Sequence, residues 1–194
     1  MKEIYGDLFG FNERGPACIA VTTNGFVNKG GCSIMGKGTA GEAKRRWPGI
    51  ERMLGRLIQE KGNHVHLLTK SKEQGIFLEI NWVGPAVQVP YHIVSFPTKP
   101  AVVNEASDLI AHYRKANEGH VEDLNLPGWM AKSNLELISQ SAWELRALVD
   151  RMGWQSVVVP RPGCSAGERS WEGEVKPLLE EPFKDDRFFI ITGR

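Results

Sequence analysis

Cysteine is scarce in this chain. The 194 residues hold three, Cys18, Cys32 and Cys164. They stand far apart with no C-x-x-C pair, so no disulfide framework or zinc site follows from them, and no metal or cofactor is expected. An excess of one charge is missing too: 24 Lys and Arg face 23 Asp and Glu, for a net +1. A dedicated nucleic-acid binder would carry a larger electrostatic footprint. No apolar run reaches membrane-spanning length, and the opening MKEIYGDLFG lacks the apolar stretch of a signal peptide. The expected location is therefore cytoplasmic, in a reducing compartment, with no membrane partner.

What is there describes a globular protein. Apolar residues make up 41% and charged residues 24%, as in ordinary folded domains. The length suits one domain over 1–194, with an insertion expected at 100–132. Short apolar runs at 3–9, 17–23, 64–69, 87–95, 156–160 and 187–192 read as strands. Pro90 makes the 87–95 run an edge or bulged strand. Residues 71–86 read as a hairpin or loop. Helical spacing marks 38–47, the stretch from Pro48 to Lys61, 105–116, 134–152 and 171–181. Ser133 and Glu136 are spaced as a capping box for the fourth of these, and Gly153 stops it. Strands alternating with helices predict a three-layer α/β/α domain with a mixed, mostly parallel central sheet.

Two glycine-rich loops sit where strands lead into helices, the place where such sheets bind ligands. The first carries Gly30, Gly31, Gly36, Gly38 and Gly41. Glycine lets backbone N–H groups approach an anion, and the helix start that follows favours negative charge. The second is GCSAG: Gly163, Cys164, Ser165, Ala166 and Gly167. Two such loops side by side suit a diphosphate without a metal. The run GCSIMGKG also nearly matches the phosphate loop of nucleoside triphosphatases. Gly38, however, stands where a magnesium-ligating hydroxyl belongs, and Thr39 comes one residue late.

Other candidates have plainer readings. Lys44, Arg45 and Arg46 read as a solvated helix face. His64 and His66 share a strand face but lack a third metal ligand. Cys164 reads as a packed thiol. Trp129, Trp154 and Trp171 read as core or rim, with Trp171 near enough to the second loop to shape it.

Taken in order, five motifs resemble the macrodomain family, which binds ADP-ribose. They are G-D-L at Gly6–Leu8, T-T-N at Thr22–Asn24, M-G-K-G at Met35–Gly38, F-P-T-K at Phe96–Lys99, and G-C-x-x-G followed by W-x-x-x-V-K-P through Pro177. They span nearly the whole chain; only 100–132 has no counterpart. The branch they resemble is the antitoxin-type DNA ADP-ribosyl glycohydrolase, with the terminal ADP-ribose glycohydrolase. The resemblance implies that Asp7 accepts from the adenine amino group. It implies that Asn24 and the loop Met35, Gly36, Lys37, Gly38 line the distal ribose. Gly163, Cys164, Ser165, Ala166 and Gly167 would wrap the diphosphate, and Lys99 would be catalytic. It implies a hydrolase that frees ADP-ribose from a modified base or side chain, with a cognate ADP-ribosyltransferase as possible partner. A monomer is expected. The alternatives are a reader that binds ADP-ribose without turnover, and the nucleoside triphosphatase. The terminal glycohydrolases carry an aspartate where this chain has Gly167, followed by Glu168; a surface or capping role is the plainer reading of Glu168.

Overall fold

A computed structural model describes residues 1–11, 17–78, 80, 86–103 and 126–193. The expected helix at 105–116 and most of the insertion at 100–132 lie outside the described residues.

Five strands form the central sheet: β1 (Lys2–Tyr5), β2 (Cys18–Asn24), β6 (His92–Lys99), β9 (Val157–Pro160) and β10 (Phe188–Thr192). Their order is β1-β10-β9-β2-β6, and every pairing among them is parallel. The mixed character comes from the edge, where Leu67 bridges Val94 in the antiparallel sense. Three further strands, β3 (Thr69–Lys72), β4 (Gly75–Leu78) and β5 (Val87–Val89), make a small antiparallel sheet. A third sheet pairs β7 (Val102–Val103) with β8 (Leu126–Pro127).

Helices cover both faces of the central sheet. Alternate residues of each strand go to opposite cores, as the pleat requires. Ile19, Val21, Ile93 and Val158 join a core with α1 (Gly38–Arg46) and α2 (Ile50–Lys61). Cys18, Ala20, Val94 and Val159 join the other, under α3 (Leu135–Met152) and α4 (Lys176–Glu180). Burial on both faces explains why these strands read as continuous apolar runs. A single π turn, Trp171–Val175, leads into α4, so the expected helix over 171–181 is shorter and starts irregularly.

Several boundaries differ from expectation for physical reasons. The expected strand 87–95 is two strands: Pro90, which has no N–H to give, stands between β5 and β6. The expected strand 64–69 yields one bridge at Leu67 and, from Thr69, the start of β3; its main chain still meets β6, where Ser95 N–H donates to His66 O and Leu68 N–H to Ile93 O. The capping box does not form. Asn134 caps α3 instead, accepting from Leu137 N–H at 2.9 Å, while the Ser133 hydroxyl is buried beneath the second loop with no partner among the described residues. Gly153 ends α3 in the left-handed conformation, as expected (φ 66°).

Candidate functional site

The site opens at the carboxyl ends of β2, β6 and β9. At the end of the β2–β6 ladder the register slips: Thr23 faces Pro97, but Asn24 faces Lys99. This bulge leaves Thr98 over, and its hydroxyl donates to the Thr23 carbonyl at 3.2 Å. Bulges re-aim side chains next to functional sites; here the bulge sets Asn24 and Lys99 opposite each other.

Asn24 is buried, and its amide braces the first loop. It donates to Ile34 O at 2.7 Å and accepts from Phe26 N–H at 3.0 Å. Farther along, Met35 is buried whereas Gly36, Lys37 and Gly38 are exposed. Gly38 begins α1 with φ 59°, a left-handed conformation that suits glycine. The Thr39 hydroxyl lies 2.9 Å from the Thr22 hydroxyl and accepts from Thr22 N–H at 3.2 Å. It ties the helix start to β2, so the late hydroxyl of the triphosphatase reading is already engaged.

The second loop is shaped by what lies beneath it. A Cβ on Gly167 would fall on the Ser133 hydroxyl and 2.5 Å from Gly163 O, so only glycine fits. Ser133 N–H donates to Gly167 O at 3.0 Å, and Arg169 N–H to Gly163 O at 3.0 Å. The N–H groups of Ser165, Ala166 and Gly167 find no acceptor among the described residues. Glu168 stands at φ 56°, the one non-glycine positive φ among the described residues. Burial pushes the Cys164 thiol up to about 11, which fits the packed reading. Flanking the loop, Arg161 pairs with Glu3 at 2.8 Å, as does Lys176. Trp171 Nε1 donates to the same carboxylate at 3.1 Å.

Lys99 joins these pieces. Its ammonium donates to Ala166 O at 2.8 Å and to Trp129 O at 3.2 Å. Burial lowers its pKa; Glu168 opposes that shift and Lys37 adds to it. Cation, carboxylate and both loops therefore lie within electrostatic reach of one amine. Asp7 is exposed; one carboxylate oxygen accepts from Phe9 N–H at 3.1 Å and Arg46 lies 3.8 Å from the other. Arg45 and Arg46 also pair with Glu42, and Lys44 with Glu51, so the basic run is a paired helix face.

Histidine chelation is not built. His64 Nδ1 lies 2.7 Å from Glu144, His66 Nε2 lies 2.8 Å from Gly62 O, and no group of three metal-ligating side chains occurs among the described residues. Of the tryptophans, Trp154 and Trp171 are core and Trp129 is exposed. Sequence reasoning missed the part of Trp129 and Ser133 in the site. A Pro-Gly pair before Trp129 was the available signal, since it marks a turn close to where the chain re-enters the fold.

A parallel sheet covered on both faces, with a glycine-rich loop bonded to a lysine at its carboxyl edge, defines an α/β domain, and its fold is that of the macrodomains. The DarG macrodomain of Mycobacterium tuberculosis superposes with a TM-score of 0.61 at 21% identity, over 98% of this chain and 95% of that one. The DarG macrodomain of Thermus aquaticus gives 0.61 at 18%, over 100% and 97%. Thermosipho africanus DarTG, solved in complex with ADP-ribose, gives 0.63 at 18%; the match covers all of this chain and 42% of that one. No family model matches the sequence, and no curated protein matches it. Among the described residues no helix is long and apolar enough to cross a membrane.

Proposed function

We propose that this chain binds ADP-ribose in the crevice between its two glycine-rich loops and hydrolyses the bond that joins the distal ribose to a nucleobase or protein side chain. One observation carries the reading: Lys99, at the end of β6, is bonded to Ala166 of the second loop and lies within electrostatic reach of Lys37 of the first. The amine thus stands where the two loops meet. The N–H groups of Ser165, Ala166 and Gly167, without an acceptor among the described residues, suit a diphosphate, and the α1 start suits the same charge. Asp7 suits the adenine amino group, and Met35–Gly38, braced by Asn24, suits the distal ribose. Cys164 serves the second loop by packing. The ADP-ribose held by the DarTG of similar fold supports the ligand.

In this reading Lys99 acts on the anomeric carbon. As an ammonium it stabilises the departing group while water attacks; as a free amine it attacks, the departing group leaves with the bonding pair, and water then displaces the amine. Burial and Lys37 both favour the free amine. A cytoplasmic monomer acting on the product of a cognate ADP-ribosyltransferase completes the proposal.

One observation favours the reader instead. The Lys99 amine donates two hydrogen bonds to main-chain carbonyls, which occupy it and stabilise its charged form against attack. Wild type and Lys99→Ala, each incubated with ADP-ribosylated DNA and ADP-ribosylated protein, separate the two. Release by wild type alone supports the hydrolase. Calorimetric binding of ADP-ribose with no release by either supports the reader. Equal release by both removes Lys99 from the chemistry, and no binding at all removes the ligand.

A further inference from the structure

We infer that Asn63 is a positioning residue for Lys99: its side-chain amide holds the main-chain carbonyl of the lysine and so fixes where the amine stands. The inference rests on the hydrolase reading above and adds to its machinery a residue that none of the five motifs contains.

The hold begins where the ladder ends. β6 stops at Lys99, and the next residue, Pro100, brings no N–H to extend it. At the bulge the Lys99 carbonyl accepts from Gly25 N–H at 3.1 Å and from Asn63 Nδ2 at 3.1 Å. One donor follows β2 and the other follows α2. A carbonyl oxygen has two lone pairs, and here both are taken. Because that oxygen can only accept, the NH2 end of the amide must face it.

Asn63 is itself held from several sides. The carbonyl of Gly62 before it meets His66 Nε2 at 2.8 Å. Just after it, Val65 N–H donates to Glu144 of α3 at 2.8 Å, and His64 Nδ1 lies 2.7 Å from the same carboxylate. The amide packs so tightly on the end of β2 that a Cβ at Gly25 would come within 2.7 Å of Asn63 Cγ and Nδ2. The lysine amine, bonded to Ala166 O and Trp129 O, hangs on a flexible four-carbon stem. Its placement is therefore only as good as the anchoring of its main chain.

A second observation sets Asn63 apart from an ordinary loop amide. Its Oδ1 is buried with no partner among the described residues. An orphaned buried acceptor is destabilising, so this amide does not serve the fold best. Local rules are broken in this way where function needs the group, and what Asn63 supplies is the donor on Lys99 O.

The test compares wild type with Asn63→Asp and Asn63→Ala. It measures release of ADP-ribose from ADP-ribosylated DNA and protein, and calorimetric binding of free ADP-ribose. Asn63→Asp keeps the shape and removes the donor. In both variants kcat is expected to fall about ten- to hundredfold, as it does when a reacting group is misplaced, while the Kd of ADP-ribose stays within about threefold of wild type. A carboxyl donates to a carbonyl only when protonated. Relative to wild type, the deficit of Asn63→Asp is thus expected to shrink as pH falls from about 8 to about 5.5, whereas that of Asn63→Ala stays constant. Unchanged kcat in Asn63→Asp, a loss of binding that matches the loss of release, a deficit equal at every pH, or unfolding of both variants overturns the inference and leaves the hydrolase reading standing. No release by wild type from either substrate overturns the hydrolase reading and the inference with it.

Discussion

Lys99 Nζ donates to the Ala166 carbonyl at 2.8 Å, a bond that joins the end of β6 to the second loop across 67 positions of sequence. A charged donor to a main-chain acceptor contributes about 1.5–3 kcal/mol when it is well made. Lys99→Met keeps the length of the side chain and removes the charge. Amide exchange across residues 163–168 is expected to accelerate by at least about tenfold, while α3 is unchanged. Unaltered exchange in the loop would show that its shape is set without the lysine.

Gly167 allows no side chain. Gly167→Ala would drive a methyl group against the Ser133 hydroxyl and Gly163 O. The expected cost is about 1–3 kcal/mol in urea unfolding, with ADP-ribose binding lost in calorimetry because the loop must shift. Ser133→Ala removes one of the two obstructing atoms, so the double variant is expected to recover part of the stability. A single variant as stable as wild type would contradict this packing.

Thr39 distinguishes a brace from a ligand. Its hydroxyl meets both the main chain and the hydroxyl of Thr22. Thr39→Val is expected to lower stability by about 1–2 kcal/mol, and Thr39→Ser to keep most of it. Magnesium is expected to make no difference to either variant. Magnesium-dependent ATP binding lost in Thr39→Val would revive the triphosphatase reading.

Acid should destabilise the fold through two histidines. Burial holds the pKa of His66 and His92 below the ordinary value of 6.5. The unfolded chain therefore binds protons first as pH falls, and stability drops with it. The stabilising difference is fully present above 6.5 and is lost as pH falls from there through the folded-state values. Urea midpoints should be lower at pH 5.5 than at pH 7.5, and His92→Asn, which keeps an acceptor or donor toward Thr69, should flatten the difference. An identical slope in the variant would assign the effect elsewhere.

Much of this could be read from the chain. The strands β2, β9 and β10 announce themselves because burial on both faces demands unbroken apolar residues. The helix α3 shows its period, and the glycines of both loops show where a main chain must come close to something. The apolar run read as a strand stops at Ser95, whereas β6 continues through the F-P-T-K motif to Lys99. What could not be read is settled by contacts between distant segments. The cap of α3 moved to Asn134 because Ser133 is held under Gly167, a relationship that no local spacing encodes. The Lys99–Trp129 bond depends on how the chain returns after residue 103. The bulge at Asn24 depends on two strands separated by α1, α2 and the small sheet.

The β7–β8 pairing has an engineering consequence. Val103 lies opposite Leu126 in an antiparallel ladder, so the chain departs at 103 and returns at 126 at adjacent points. Strand ends so placed accept a tight two-residue turn such as Asn-Gly. A chain in which such a turn joins Val103 to Leu126 would test whether the two anchoring strands keep their places. Trp129, whose carbonyl Lys99 holds, stands two residues past β8, so the join would be anchored close to that amine without touching the central sheet.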